Sequence, residues 1–319
     1  MSKDLLWLIG ASSIAQDYAK VLSSLKQPFK VIGRGESSAL SFKKATSISV
    51  STGGLNVHLK SNTAPHIAIV AVGVEQLANT TKDLIQSGTK RILLEKPGAL
   101  NLEEINSINR LANKKKAEVY IAYNRRFYHS VEQLRRFVDE DGGLLSMNFE
   151  FTEWGHIIKD AQNTPEVKNY WLMGNSSHVI DLAFHLCGKP KDWKCWHKGK
   201  GVIDWHPTSA RFCGSGITDR GVMFSYLSDW QAPGRWGLEL MTAKRRFILR
   251  PMEKLQVVKL GSVLIQFIEP ENKIDYNFKP GLFNQTKKFL EGDNSLMCPL
   301  SEQVKNMKVY NMMAGYAKN

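Results

Sequence analysis

Two groups of residues have the types and spacing to do chemistry. The first is Gly10-Ala11-Ser12-Ser13-Ile14-Ala15, directly behind the apolar run Leu5-Leu6-Trp7-Leu8-Ile9. It occupies the place of a dinucleotide fingerprint, G-x-G-x-x-G/A, with Ser12 in place of the second glycine and Ala15 at the third. Gly10 permits the tight turn. Ser13 and Ile14 then open a helix whose N–H groups and positive dipole end suit a pyrophosphate. The Ser12 hydroxyl can itself donate to a phosphate oxygen. An ordinary strand-to-helix turn uses the same residue types, so the loop alone keeps both readings. The second group is His178, Asp181 and His185, which share one helix face at spacings of three and seven residues. That spacing permits a metal site, but an open zinc site needs three well-placed ligands and no further His or Cys clusters nearby. No metal is expected, and His185 reads equally as a hydrogen-bonded core histidine.

The next apolar run bears on cofactor choice. It ends in Val31-Ile32-Gly33-Arg34-Gly35-Glu36-Ser37-Ser38, with no acidic residue at the strand end itself. An NAD site places a carboxylate there for the ribose hydroxyls, whereas Arg suits a 2′-phosphate. Arg34, with the Ser37 hydroxyl, predicts NADP in preference to NAD. Glu36 keeps NAD open.

The elements that must position these residues follow from hydropathy. Phe29 to Ile32, His66 to Val72 (ending at Gly73), Arg91 to Leu94 and Glu118 to Ala122 continue the series of short buried runs begun at Leu5. Helical patterns separate several of them. Asn101 with Glu104 reads as a capping box ahead of the stripe Ile105, Ile108, Leu111, Ala112. This is the pattern of a Rossmann-type doubly wound parallel sheet, whose ligands lie beyond the strands' carboxyl ends. After residue 123 the texture changes. Leu145 to Thr152 reads as a strand, Glu153 to Asn169 as a polar loop and Ser176 to Leu186 as a helix. Between Trp193 and Ile268 lie β-like runs, including Gly221 to Leu227, Trp236 to Met241, Phe247 to Arg250 and Val263 to Phe267. Helices around Leu282 to Leu290 and Ser301 to Tyr316 close the chain. The expected architecture is a dinucleotide-binding domain over 1–123. An α+β domain with a large, mainly antiparallel open sheet follows over 124–319, serving substrate binding and oligomerisation.

Composition bounds the function. The 319 residues, 43% of them apolar, with eight tryptophans, exclude a mainly disordered chain. No run approaches the roughly 20 apolar residues of a membrane span, so no membrane partner is expected. Lys3 before the apolar run imitates a secretory signal, but Asp4 and Gly10 spoil it, and an uncleaved cytoplasmic chain is expected. Cys187, Cys195, Cys213 and Cys298 form no CxxC pair, which fits reduced thiols. The net charge of +13 comes from short scattered clusters such as Lys114-Lys115-Lys116 and Lys244-Arg245-Arg246. Without a recognition-helix or zinc-finger signature, this favours small anions over nucleic acid. A basic solvated surface is the plainer reading.

Glu95-Lys96-Pro97 behind a buried run, Tyr123-Asn124-Arg125-Arg126-Phe127, Gly174 to Asp181 and Pro280 to Gln285 complete a pattern. With the fingerprint position, it resembles the glucose-fructose oxidoreductase / inositol dehydrogenase (Gfo/Idh/MocA) family over almost the whole chain. The resemblance implies an NAD(P)-dependent oxidoreductase of sugars, polyols or their derivatives, working as a homodimer or homotetramer. It implies Lys96 as the group that orients the reacting oxygen and stabilises developing alkoxide. His178 is implied as acid/base, with Glu95 and Pro97 shaping the cofactor turn. Tyr123, Asn124, Arg126 and Asp181 are implied at the substrate. Gly174 stands where the family has an acid, so the proton path departs from the pattern; Tyr123, Glu153 or His156 could substitute. The basic charge suits a phosphorylated or nucleotide-linked sugar. A non-catalytic NAD(P)-binding sensor on the same fold is the competing class. Trp193, Trp196 and Trp205 could stack on sugars or pack in the interior.

Overall fold

The computed structural model describes residues 5–316; Lys3 and Asp4, used in reading the amino terminus, lie outside them. In chain order the strands are β1 (Leu6–Ile9), β2 (Phe29–Ile32), β3 (Val50–Ser51), β4 (Ile67–Val70), β5 (Arg91–Glu95), β6 (Glu118–Ala122) and β7 (Ser146–Phe151). They continue as β8 (Pro190–Lys198), β9 (Arg211–Thr218), β10 (Met223–Asp229), β11 (Trp236–Met241), β12 (Arg245–Leu249), β13 (Leu255–Lys259), β14 (Gln266–Ile268) and β15 (Cys298–Pro299). The chain divides into two compact units. One holds the residues up to Asn124 together with Ile274–Lys305; the other holds Arg125–Lys273 with the chain from Asn306 on.

The first unit is built on a seven-stranded sheet ordered β15-β6-β5-β4-β1-β2-β3, parallel except for β15. β1 is buried along its whole length, as a central strand covered on both faces must be. Strand order reverses between β1 and β4, so the Gly10 and Gly73 ends lie side by side at the switch point. The predicted cap at Asn101 forms: its Oδ1 accepts from Glu104 N at 2.9 Å. The Glu104 carboxylate returns one residue earlier than a capping box requires, accepting from Leu100 N at 2.9 Å. A single cut at 123/124 leaves out the return of Ile274–Lys305. The helix Leu282–Glu291 in that segment packs on the helix Ser13–Ser24, and Arg91 Nη2 donates to Phe289 O at 2.8 Å.

The second unit carries an eight-stranded sheet ordered β14-β13-β12-β11-β7-β10-β9-β8, antiparallel but for the β7/β10 pair. One face takes Phe149, Phe151, Phe212, Phe224 and Leu240 into the core beneath the helix Ser177–Cys187, where Phe184 meets Phe149 and Phe224 edge-on. The other face presents Trp196, Ile217, Met223 and Leu227 to solvent, Ile217 directly opposite Met223.

Two expectations need correction. Glu153 to Asn169 is not a loop: it contains the helices Gly155–Asp160 and Pro165–Asn169, the second capped by Thr164 with Pro165 at its start. Both are too short to show an apolar stripe. Val263 to Phe267 is not a strand over its length. Only Gln266–Ile268 pairs, and Val263 is 96% exposed. Among the described residues no helix is long and apolar enough to cross a membrane. All four cysteines carry free thiols.

Candidate active site

In the first unit the ends of β1, β2 and β4 open onto a cleft of about 850 Å³ lined by Gly10, Ser12, Gly33, Arg34, Ser37 and Gly73, among others. Gly10 has φ +125°, and a Cβ there would stand 2.2 Å from Ala71 O, so only glycine lets β1 turn beside β4. The helix Ser13–Ser24 follows with no side-chain cap and no acidic residue in its first turn. Its leading N–H groups, on Ser13 and Ile14, therefore remain available to an anion. Ser12 does not aim its hydroxyl as the sequence suggested: its Oγ donates to Ala71 O at 3.2 Å, tying the loop to the end of β4. Arg34 and Ser37 are exposed at the far end of the cleft, where the helix Glu36–Thr46 begins. These residues fit a dinucleotide: an uncapped helix end suits the pyrophosphate, and an exposed guanidinium lines the same cleft.

Glu95, Lys96 and Pro97 form the turn after β5. The Lys96–Pro97 peptide is cis, and Gly98 N closes the turn onto Glu95 O at 3.0 Å. Tyr18, on the helix behind the phosphate loop, donates its hydroxyl to Glu95 Oε1 at 2.7 Å. Burial pushes the Glu95 carboxyl above its ordinary range, while the Tyr18 bond and the Lys96 and Lys279 ammonium groups pull it back. Gln303 closes the same turn from the other side. Its Nε2 donates to Pro97 O at 2.8 Å and to Tyr123 Oη at 2.9 Å. Tyr18 and Gln303 were not read from the sequence. Tyr123 is buried, and Asn124 Nδ2 donates to Pro280 O at 2.9 Å, so both are built into the interior of this unit.

In the second unit His178 lies on the helix Ser177–Cys187, its ring 6.2 Å from that of Trp236. Asp181, one turn later, is held by Arg126: Nε to Oδ2 at 2.7 Å and Nη2 to Oδ1 at 2.5 Å, both side chains 1% exposed. The carboxylate that a metal reading needs between His178 and His185 is thus committed to a guanidinium. A π-helical turn, Leu172–Ser176, precedes this helix and contains Gly174, around which a Cβ would meet nothing within 4 Å. Glu153 lies under that turn. Its carboxylate accepts from Ser176 Oγ at 2.8 Å and from Asn175 Nδ2 at 3.1 Å. Burial is the largest influence on it; the two bonds and the Arg235 charge oppose it, and the carboxyl is pushed up to about 7. Of the two other candidates for the proton path, His156 is exposed and Tyr123 belongs to the first unit. Trp205 is buried and stacked on Trp230 with ring centroids 5.3 Å apart, a packing role, whereas Trp196 stands on the open sheet face.

Residues 6–123 match the family described as an oxidoreductase family with an NAD-binding Rossmann fold, Gfo/Idh/MocA. The scyllo-inositol 2-dehydrogenase (NADP(+)) IolW of Bacillus subtilis is 28% identical over 121 residues, a stretch covering 35% of this chain and 32% of that protein. The chain thus matches about a third of the length of this curated relative. Solved structures share the fold over nearly the whole chain. An oxidoreductase from Agrobacterium radiobacter, in complex with NAD+, L-tartaric acid and magnesium, superposes with a TM-score of 0.79 at 10% identity, covering 99% of this chain and 97% of that one. A levoglucosan dehydrogenase in complex with NADH and L-sorbose gives 0.79 at 14% identity, covering 99% and 96%. The UDP-N-acetylglucosamine 3-dehydrogenase GnnA of Acidithiobacillus ferrooxidans gives 0.72 at 13%, covering 97% and 96%. Over residues 6–123 the chain is thus similar to the Gfo/Idh/MocA oxidoreductase family.

Proposed function

We propose that the chain is an NAD(P)-dependent oxidoreductase acting on the CH–OH or carbonyl group of a sugar, polyol or sugar derivative, with NADP preferred. The observation that carries this reading is the cleft in which an uncapped helix end and Arg34 face one space, with no carboxylate at the end of β2. The nicotinamide, when bound, accepts or supplies the hydride. In this proposal Lys96 orients the substrate oxygen and stabilises negative charge developing on it. His178 takes the hydroxyl proton in oxidation and returns it in reduction. Tyr123, Asn124, Arg126 and Asp181, which the sequence placed at the substrate, are buried and act in this proposal from behind it, through the hydrogen bonds that fix the Pro97 turn, the Pro280 segment and the helix carrying His178. The NADP-dependent inositol dehydrogenase relative and the sugar-binding neighbour support the substrate class. The half-apolar open face of the second sheet supports a homodimer or homotetramer, and the four free thiols accord with a cytoplasmic location.

Gly174, which places no side chain beside His178's helix, favours a second reading, a non-catalytic NAD(P) sensor on the same fold. One set of measurements separates them. Titration with NADPH and NADH, followed by nicotinamide fluorescence, reports cofactor choice. Loss of near-ultraviolet absorbance across a panel of carbonyl sugars reports turnover, and the enzyme reading requires Lys96→Ala and His178→Ala each to abolish it. Cofactor binding without turnover on any sugar sinks the enzyme and leaves the sensor.

A further inference from the structure

Several arginines of the second unit are paired with carboxylates. Arg245 pairs with Glu140 and Asp141, Arg246 with Glu239 and Arg250 with Glu150. Two others differ. Arg125 and Arg235 both lie against the indole of Trp236, their guanidinium carbons 4.7 and 5.0 Å from its ring centroid. Arg125 also faces the Tyr128 ring at 5.8 Å, and Arg235 faces Trp154 at 4.6 Å. Aromatic faces hold these cations in place, but they supply no counter-charge and accept no conventional hydrogen bond. The carboxyl that Arg235 acts on is Glu153, which is buried and already accepts from Ser176 and Asn175.

Two orphaned donors belong to side chains of this cluster. Arg125 Nε and Trp236 Nε1 are both buried without a hydrogen-bond partner. A native structure rarely leaves a buried N–H unmatched, and here two of them sit on adjoining side chains, one charged. The group that answers both is an oxyanion, which accepts several N–H bonds and neutralises a guanidinium. Its place is adjacent to the proposed acid/base, since the His178 ring is 6.2 Å from the same indole.

Building on the proposed function, we propose that Arg125, Arg235 and the Trp236 N–H form an oxyanion subsite beside His178. The substrate is then a sugar or polyol bearing a phosphate or carboxylate substituent. Net charge offered this only as a general attraction; the two arginines and two unmatched donors give it a location. Phosphate ester and carboxylate share the required chemistry, and binding strength distinguishes them.

The test is a tryptophan-fluorescence titration of the NADPH-saturated protein with glucose 6-phosphate, glucuronate and glucose at low ionic strength. At least one anionic sugar is expected to bind about tenfold or more tightly than glucose, the margin of a charge-assisted contact. The tighter of the two identifies the substituent. Arg125→Gln and Arg235→Gln should each erase the margin, and Arg125→Lys should keep part of it, while NADPH affinity stays unchanged. Should Arg125→Gln fail to fold, Arg235→Gln, at an exposed position, carries the test. Equal binding of glucose, no binding of either anionic sugar, or a margin that survives both substitutions overturns the subsite. A margin that depends on both arginines, with no nicotinamide consumed on any sugar, upholds the subsite and removes the oxidoreductase reading instead.

Discussion

Arg126 and Asp181 form a two-pronged ion pair sealed inside the second unit, each side chain 1% exposed. The pair joins the segment after β6 to the helix that carries His178, so it sets where that helix begins its second turn. Removing one partner leaves an uncompensated buried charge, which destabilises by about 3–5 kcal/mol. Asp181→Ala should therefore lower the chemical-denaturation midpoint sharply, and the double replacement Arg126→Met with Asp181→Leu should be milder than either single change. An Asp181→Ala protein as stable as the parent would show that the charges are hydrated and the pair is not holding the helix.

Glu153 makes stability depend on pH in an unusual direction. Its folded carboxyl is raised to about 7 by burial, above the ordinary value near 4.5 that applies once the chain unfolds. Between those values the folded state holds a proton that the unfolded state has released. Its contribution is complete below pH 4.5 and is lost as pH rises through 7. The full shift corresponds to about 3 kcal/mol at most. Unfolding free energy measured across that window should fall with rising pH, and Glu153→Gln, which keeps the shape without the proton, should flatten the slope. An unchanged slope in that variant would assign the titration elsewhere.

Much of this arrangement was legible because buried parallel strands write themselves as short apolar runs, three of which here end in glycine. β1, β2, β4 and β5 were recognisable from that feature, and with them the places of Gly10, Arg34, Gly73 and Lys96 at strand ends. β3 and β15 were missed because two residues carry no period. What joins the site residues was not legible at all. The Tyr18–Glu95 bond spans 77 positions and the Gln303–Tyr123 bond 180. No local pattern encodes such contacts. Glu153 was legible only as one of three candidates for the missing acid, in an apparent loop; its partners Asn175 and Ser176 come from a π-helical turn that hydropathy does not mark.

Arg34 should decide the cofactor. If its guanidinium meets a 2′-phosphate, Arg34→Ala removes a charge-assisted contact and weakens NADPH by about 10–100-fold. NADH, lacking that phosphate, should lose little, so the ratio of the two dissociation constants moves toward one. Fluorescence titration of both nucleotides on both proteins gives the four constants needed. A parallel loss for NADPH and NADH would mean that Arg34 acts on a part of the dinucleotide common to both.

Gly10 offers the sharpest test of the phosphate loop, because two separate constraints converge on it. Its φ of +125° lies where side chains are strained, and an added Cβ would stand 2.2 Å from Ala71 O, a backbone atom with no rotamer to change. Gly10→Ala must therefore shift either the end of β1 or the end of β4, and both border the cleft. Backbone strain of this kind is of order 1–3 kcal/mol. The loss in stability should be accompanied by a loss of affinity for NADPH and NADH alike, since the helix end facing the pyrophosphate is displaced for both. That common loss contrasts with the selective effect expected at Arg34, and measuring the two variants side by side separates loop geometry from 2′-phosphate recognition. A Gly10→Ala protein that binds both nucleotides normally would show that the helix end behind this loop is not where the pyrophosphate rests.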